Sequence, residues 1–285
     1  MKEGIYKLFN KIFSEEVKSK FEKAILWLSI AGFMIHLGLI YLNSFNVISF
    51  GLEYKLLANP ISALYTPFSF ILLYEIYLLV LCLPRSFTTS LSKQFEIISL
   101  ILIRRIFADI PKIEMEVDWF KTQANLNLIY DLIGVLFLFF LIYLFNQSAK
   151  SRIINVSKTK IDSFVIAKKI ISLILLFCLI LMCIYSLFSW ITDWFNNSLP
   201  ENVNSIFYND FFELLILADV FILLISFKYT EKYSQIIRNT GFIISTVLIR
   251  LSFATTGFTN VILIISSVIF GLLILKVYNL YETSA

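Results

Sequence analysis

The chain has 285 residues, of which 59% are hydrophobic and only 15% are charged, and its mean hydropathy is +0.83. A soluble domain carries about 25% charged and about 45–50% apolar residues, so this composition excludes an ordinary soluble protein and indicates a membrane protein. The net charge of +4 does not indicate nucleic-acid binding, because the basic residues lie between apolar segments, as the positive-inside rule requires.

Residues that carry enzymatic chemistry are scarce. The chain has a single histidine, His36, and its three cysteines (Cys82, Cys178 and Cys183) all lie inside apolar segments, where thiols are packing residues. There is no glycine-rich phosphate loop, nucleophile elbow or paired-cysteine motif. We therefore expect no enzyme activity, no cofactor and no metal ion.

The first 23 residues have the pattern of an amphipathic helix. Apolar residues recur at helical spacing from Ile5 to Phe13, and six lysines accompany them. Such a helix suits the headgroup region of an anionic leaflet. The alternative is a solvated leader before the first span.

Eight apolar segments follow, each near the length of about 20 residues that a helix needs to cross a bilayer. The third is short and charged. The segments are Ala24–Asn43, Leu64–Pro84, Phe95–Ile110, Leu126–Phe145, Lys169–Trp190, Phe211–Phe227, Gly241–Thr256 and Phe258–Tyr278.

The charges between these segments alternate. The leader, segment 85–94, segment 146–168 and segment 228–240 are rich in lysine and arginine, whereas the intervening segments are neutral or acidic. This alternation holds at every crossing only if all eight segments span, and the basic segments then lie in the cytoplasm. The sequence thus predicts a multi-pass protein of the prokaryotic plasma (inner) membrane, with both termini in the cytoplasm.

Two stretches indicate an internal duplication. Residues 97–107 (IISLILIRRIF) and 243–253 (IISTVLIRLSF) are identical at seven of eleven positions. They are the third spans of two successive four-span halves, which an even number of crossings would make parallel repeats. The predicted fold is therefore all-α: a leader (1–23), a first four-helix repeat (24–146), a basic cytoplasmic linker (147–168) and a second repeat (169–285). The alternative explanation is convergent composition.

Five charged residues near the middle of predicted spans are candidates for intramembrane pairs, because a charge at mid-bilayer costs about 2.5–3.5 kcal/mol on insertion scales. At a rise of about 1.5 Å per residue, all lie about 14–18 Å from the cytoplasmic boundary. Equal depth predicts an acid–arginine pair in each half. The residues are Glu75 with Arg104 or Arg105, and Asp219 with Arg250.

Two further polar residues are candidates for a polar path. Glu213 lies six residues outward of Asp219 and could extend a polar file, although an interfacial position also explains it. His36 near the middle of the first span could titrate, although a hydrogen-bonded packing role explains it too.

These features favour a small transporter or channel-like protein with the acid–arginine pairs on or near its path. The alternative is a membrane-embedded scaffold, complex subunit or oligomeric effector in which the pairs are purely structural; a lipid-handling enzyme has less support. The expected partners are the lipid bilayer and copies of the chain or other membrane subunits, and not nucleic acid. A water-accessible cavity favours transport, whereas dry, paired charges favour a scaffold.

Overall fold

The described part of this computed structural model is all-helical, and it comprises residues 2–45, 59–110, 113, 121–149, 158–195, 203–230, 232–255 and 257–284. A short 3-10 helix at Pro60–Leu64 leads into the third of the α-helices. Those helices are α1 Lys2–Ile12, α2 Glu15–Ser44, α3 Tyr65–Cys82, α4 Phe87–Asp109, α5 Gln123–Ala149, α6 Lys158–Phe195, α7 Val203–Phe227, α8 Tyr233–Ser252 and α9 Gly257–Ser284.

The predicted leader is divided in two by a helix cap. The side chain of Ser14 accepts a hydrogen bond from the backbone N–H of Val17 and starts α2, which then continues through the first predicted span. The helix before this cap packs on the bundle: the Phe13 ring lies 5.9 Å from that of Tyr77 on α3, and Lys169 on α6 lies 3.9 Å from the centre of the Tyr6 ring. The apolar face of α1 therefore contacts protein.

Five helical segments in the described part of the chain have the length and apolar composition of membrane spans. They are Tyr6–Ser44, Pro60–Cys82, Gln123–Ala149, Ser163–Ser186 and Gly257–Thr283. The chain is thus a membrane protein by composition and helix length. The three remaining long helices, α4, α7 and α8, have 23, 25 and 20 residues, and each has charged residues within it.

Contacts between helix ends define how the long helices run. Ser92 near the start of α4 hydrogen-bonds Asn146 near the end of α5, and Ser234 at the start of α8 hydrogen-bonds Glu282 at the end of α9. Asn279 of α9 donates to the carbonyl of Ser148 on α5 at 3.2 Å. α4 and α8 therefore begin at the end of the molecule where α5 and α9 finish.

The same end gathers the basic side chains that follow or precede the helices. Lys168 of α6 donates to the carbonyl of Arg85 in the α3–α4 turn at 3.0 Å, and the Phe164 ring lies 5.7 Å from that of Tyr229 after α7. We call this the basic end and define it by the residues Arg85, Lys93, Lys168, Lys169 and Arg238.

Helix boundaries differ from the predicted ones where polar residues continue a helix. α4 begins at Phe87, capped by the Ser86 side chain, so that most of the segment 85–94 is helical. The predicted linker 147–168 is also largely helical, because α5 extends to Ala149 and α6 starts at Lys158. These added helical turns contain polar residues, which contact other helices or lie at the basic end.

Candidate functional site

Asp219 on α7 and Arg250 on α8 form an ion pair in the centre of the second half. Arg250 Nη1 lies 2.7 Å from Asp219 Oδ2, and both side chains are 2% exposed. Thr246, one turn before Arg250, donates its hydroxyl to the same carboxylate oxygen at 2.8 Å. The buried carboxylate of Asp219 is therefore matched by both a cation and a hydroxyl donor.

The same arginine links the two halves of the chain. Arg250 Nη2 donates to Oε1 of Gln94 on α4 at 3.3 Å, and Gln94 in turn donates to the hydroxyl of Ser90 at 3.2 Å. Each of these side chains is buried. The guanidinium thus has both an ionic partner on its neighbouring helix and a neutral partner in the first half.

Glu75 on α3 pairs with Arg104 on α4. Arg104 Nε lies 3.3 Å from Glu75 Oε2, and Nη1 donates to the carbonyl of Phe68 at 3.4 Å. The glutamate side chain is 5% exposed and that of the arginine 14%. Glu75 and Arg104, predicted to lie at equal depth on consecutive helices, are therefore in contact, as are Asp219 and Arg250.

Arg105 does not contact Glu75 and instead pairs with Asp131 on α5. Its Nε and Nη2 donate to the two carboxylate oxygens at 2.8 and 2.5 Å, which is the fork geometry preferred by arginine and carboxylate. Asp131 was not among the residues predicted to pair. Its place inside the predicted span Leu126–Phe145 was the available signal, since a charge within a span requires a partner.

Lys168 near the start of α6 is a second buried charge that the sequence analysis did not single out. It is 3% exposed, and its Nζ lies 4.1 Å and 4.7 Å from the centres of the Phe87 and Phe164 rings. It also lines a small cavity of about 20 Å³, enough for one water molecule, together with Asp219, Gln94 and Thr246. A water there would bridge groups on α4, α6, α7 and α8.

The two other candidates for a polar path lie apart from these pairs. His36 Nδ1 is 2.5 Å from the hydroxyl of Thr66 at the start of α3, which gives this half-buried ring a packing partner. Glu213 is exposed on α7, nearly two turns before Asp219. Neither lines the two cavities described in this section.

A much larger cavity, of about 610 Å³, lies at the basic end between α4, α5, α8 and α9. We call it the polar cavity. It contains no member of the three acid–arginine pairs, and ten of its twelve lining residues have polar or charged side chains. The lining residues are Ser86, Thr88, Thr89, Ser92, Lys93, Glu96, Asn146, Ala149, Arg238, Leu275, Tyr278 and Asn279.

Helix α4 separates the polar cavity from the buried pair in the second half. Ser92, Lys93 and Glu96 line the polar cavity, whereas Ser90, Leu91 and Gln94 line the small cavity beside Asp219. The helical period places these alternating residues on opposite sides of α4. A rotation or shift of this helix would thus alter both places together.

Residues that could hold a metal ion do not cluster in the described ranges: no group of three or more histidine, cysteine, aspartate or glutamate side chains is found there. The three cysteines are free, with Cys82 buried and the other two half-buried. The described side chains of the site can form hydrogen bonds and ion pairs.

Comparison with protein-family models, with curated proteins and with solved structures finds no match to this chain. The function is therefore inferred from the site itself.

Proposed function

We propose that this chain is a membrane transporter or channel-like protein in which the substrate enters the polar cavity between two parallel four-helix halves. The observation that carries this proposal is the cavity's position. It is lined by α4 and α5 on one side and by α8 and α9 on the other. Transporters built from repeats bind their substrates where the repeats meet. Its volume of about 610 Å³ also falls within the range of small-molecule sites.

Eight spans are part of the proposal, and helix length supports them. The shortest of the three charged helices, α8, has 20 residues and a length of about 30 Å, which matches the hydrocarbon thickness of a bilayer. Its buried charge, Arg250, has a partner inside the bundle, as do Arg104 and Arg105 on α4 and Asp219 on α7. Charges satisfied in this way are compatible with a span.

The duplication is supported by a second sequence match, between α5 and α9. The two asparagines Asn127 and Asn146 are separated by 146 − 127 = 19 residues, and Asn260 and Asn279 by 279 − 260 = 19 residues. In this register Ile129, Val135 and Phe137 match Ile262, Val268 and Phe270. The two helices also pack side by side in the same direction: Gly134 faces Val261, and Ser148 meets Asn279.

The orientation we propose, with the basic end in the cytoplasm, follows from the concentration of lysine and arginine there. Cytoplasmic loops carry an excess of these residues, and the basic end brings together residues from segments far apart in sequence. The polar cavity would then open toward the cytoplasm of a prokaryotic cell.

The acid–arginine pairs take a supporting role in this proposal. Because their acids are 2–5% exposed, they hold the walls of the path and are not themselves wetted by it. Paired and buried charges fix helix register more than they add stability. Arg250 is connected to the path through its partner Gln94, which is on a helix that lines the polar cavity.

Transport is tested by blocking the polar cavity. Ala149 lines it at the end of α5, whereas Leu136 on the same helix is 71% exposed on the outer surface of the bundle. In proteoliposomes, we expect wild type and Leu136→Trp to pass at least one member of a panel of ions and small polar solutes. Ala149→Trp should reduce that flux at least tenfold, because the indole projects into the cavity and narrows it.

Equal flux through the two variants would place the path elsewhere and contradict the proposal. A wild-type protein that passes nothing more than empty liposomes do, across the whole panel, would reject transport.

The alternative function, a scaffold or complex subunit, is favoured by one observation, the dryness of the pairs. With side chains 2% exposed, Asp219 and Arg250 have the character of a structural lock. This alternative predicts that the purified chain forms a defined oligomer, measurable by light scattering in detergent, and that the wild type shows no flux.

A further inference from the structure

We propose that the polar cavity binds the phosphate group of a small hydroxylated phosphate ester, with Arg238 as the principal phosphate ligand. This inference names a substrate class for the cavity and so rests on the proposed function. The same chemistry could be presented by a soluble ester or by a phospholipid headgroup, and the experiment below distinguishes these two sources.

The charge balance of the cavity selects an anion. It is lined by two cations, Lys93 and Arg238, and one acid, Glu96. Lys93 Nζ lies 2.5 Å from Glu96 Oε2, and the other oxygen of Glu96 accepts from Asn146 at 3.3 Å, so this acid is already matched by its neighbours. The remaining charge in the lining is the guanidinium of Arg238.

The surroundings of Arg238 leave that charge only partly balanced. Its Nε and Nη2 donate to the amide oxygen of Asn239 at 3.2 and 2.9 Å, and an amide carries no net charge. The guanidinium lies 4.4 Å from the centre of the Tyr278 ring, which also lines the cavity and fixes its plane. Glu282, at the end of α9, is the nearby acid whose negative charge acts on Arg238. It accepts a hydrogen bond from Ser234 and does not line the cavity.

Hydroxyl and amide groups surround this cation. Ser86, Thr88 and Thr89 bring hydroxyls from the first turn of α4, whose positive dipole end favours an anion. On the α5 and α9 side, the amides of Asn146 and Asn279 can both donate and accept hydrogen bonds.

These contacts favour a phosphate ester over other ligands. A metal cation or an amine would be repelled by the net positive charge of the lining. A purely apolar solute would leave the polar groups of the lining without hydrogen-bond partners. Arginine's planar guanidinium matches the oxygens of a phosphate, and the ester's hydroxyls would meet the serines, threonines and asparagines.

Binding is tested on the full chain purified in detergent, with sn-glycerol 3-phosphate as the probe and isothermal titration calorimetry as the measurement. Arg238→Gln should weaken binding at least tenfold, as expected for loss of a charge-assisted contact. Lys276→Gln is the matched control, because Lys276 is exposed, adjoins the lining residue Leu275 and does not line the cavity. It should bind as wild type does. Glycerol alone should not bind.

A second variant guards against misfolding of the first. Thr88→Asp changes the size of the side chain little and adds a negative charge to the cavity in the first turn of α4, where the helix dipole favours an acid. It should therefore also weaken binding while melting near the wild-type temperature. If Arg238→Gln and Thr88→Asp bind the probe as tightly as Lys276→Gln does, the anion site is refuted.

The two sources of phosphate are separated with nanodiscs. Protection of a cysteine introduced at Ser92 against a water-soluble thiol reagent, by phosphatidylglycerol but not by phosphatidylcholine and lost in Arg238→Gln, identifies a lipid headgroup. Protection by the soluble ester in nanodiscs of either lipid identifies a solute. No binding and no protection by any phosphate compound overturns the inference.

The outcome is independent of the flux measurement. Binding without flux keeps this site and rejects transport, whereas flux of a cation that Ala149→Trp blocks, without any phosphate binding, keeps transport and rejects the phosphate site.

Discussion

Arg250 shows how this chain keeps a full charge away from water. The residue is 3% exposed, its Nη1 lies 2.7 Å from Asp219, and its Nη2 is shared with Gln94 from the other half. Removing one partner of such a pair costs much more than the intact pair contributes, because the partner that remains is left buried and uncompensated.

We therefore expect Asp219→Asn to destabilise the protein by about 3–5 kcal/mol, the usual range for breaking a buried pair. Arg250→Gln added to it should recover part of the loss. Thermal melting in detergent and the yield of folded protein are the measurements.

Glu16→Gln is the control for that prediction, since Glu16 and Lys20 form a pair 2.6 Å apart that is more than 70% exposed on both sides. Its effect should be about 1 kcal/mol or less. A melting temperature for Asp219→Asn as high as that of Glu16→Gln would mean that the pair is solvated.

At this scale the sequence was informative where two charges lie on consecutive helices. Residue counting placed Glu75 level with Arg104 and Asp219 level with Arg250, and both pairs are in contact. Counting cannot give the rotation of a helix about its axis. Arg105, 100° from Arg104, therefore turned to Asp131, and the burial of Lys168 depends on aromatic rings from two different helices.

Among the helices, α5 and α9 pack closely at a glycine. A Cβ atom added to Gly134 would lie 2.6 Å from Cγ1 of Val261 and 3.3 Å from its Cγ2. Valine is branched at Cβ and has little freedom to move those methyl groups. Small residues that let backbones approach are typical of helix contacts in membranes.

Gly134→Ala should therefore destabilise the protein by about 1–3 kcal/mol through overpacking, and Val261→Ala should relieve it in the double variant. Gly38→Ala is the control, because it makes the same change of side chain and gains the same helix propensity as Gly134→Ala. A Cβ atom at Gly38 has no atom within 4 Å. Melting curves of Gly134→Ala, the double variant and Gly38→Ala provide the measurement. Equal melting of Gly134→Ala and Gly38→Ala would mean that the two helices are less closely packed than described.

The elements themselves were largely predictable, because apolar segments of about 20 residues leave few alternatives to a helix in a bilayer. Each of the eight predicted apolar segments lies largely within a long α-helix. The polar cavity was not predictable. Ser86, Ser92 and Lys93 belonged to a presumed loop, and only the extension of α4 back to Phe87 turns them toward α5, α8 and α9.

For the molecule as a whole, the number of crossings determines which side each terminus faces. Five crossings would put the termini on opposite sides, and eight would put them on the same side. Phe13 contacts Tyr77 near the end of α3, and Asn279 lines the cavity at the basic end, so the starts of α2 and α4 and the end of α9 lie toward one end. This arrangement is the one that the proposed eight crossings require.

We expect cysteines introduced at Ser157 and Asn197 to label from opposite sides of the membrane in a background without the three native cysteines. Both positions lie outside the described residues. Membrane-impermeant reagents applied to intact cells and to inverted vesicles provide the measurement. Labelling of both from the same side would refute the eight-span topology, and with it the four-plus-four division.

The charge pairs have a consequence for how the protein is made. Each joins helices that are consecutive in the chain: α3 with α4, α4 with α5, and α7 with α8. An acidic helix that leaves the ribosome first has no counter-charge until the next helix is synthesised, and an isolated charge resists entry into lipid. On the proposed eight-span topology, α3 would then wait for α4, and α7 for α8, so that each pair of helices enters the bilayer as a hairpin.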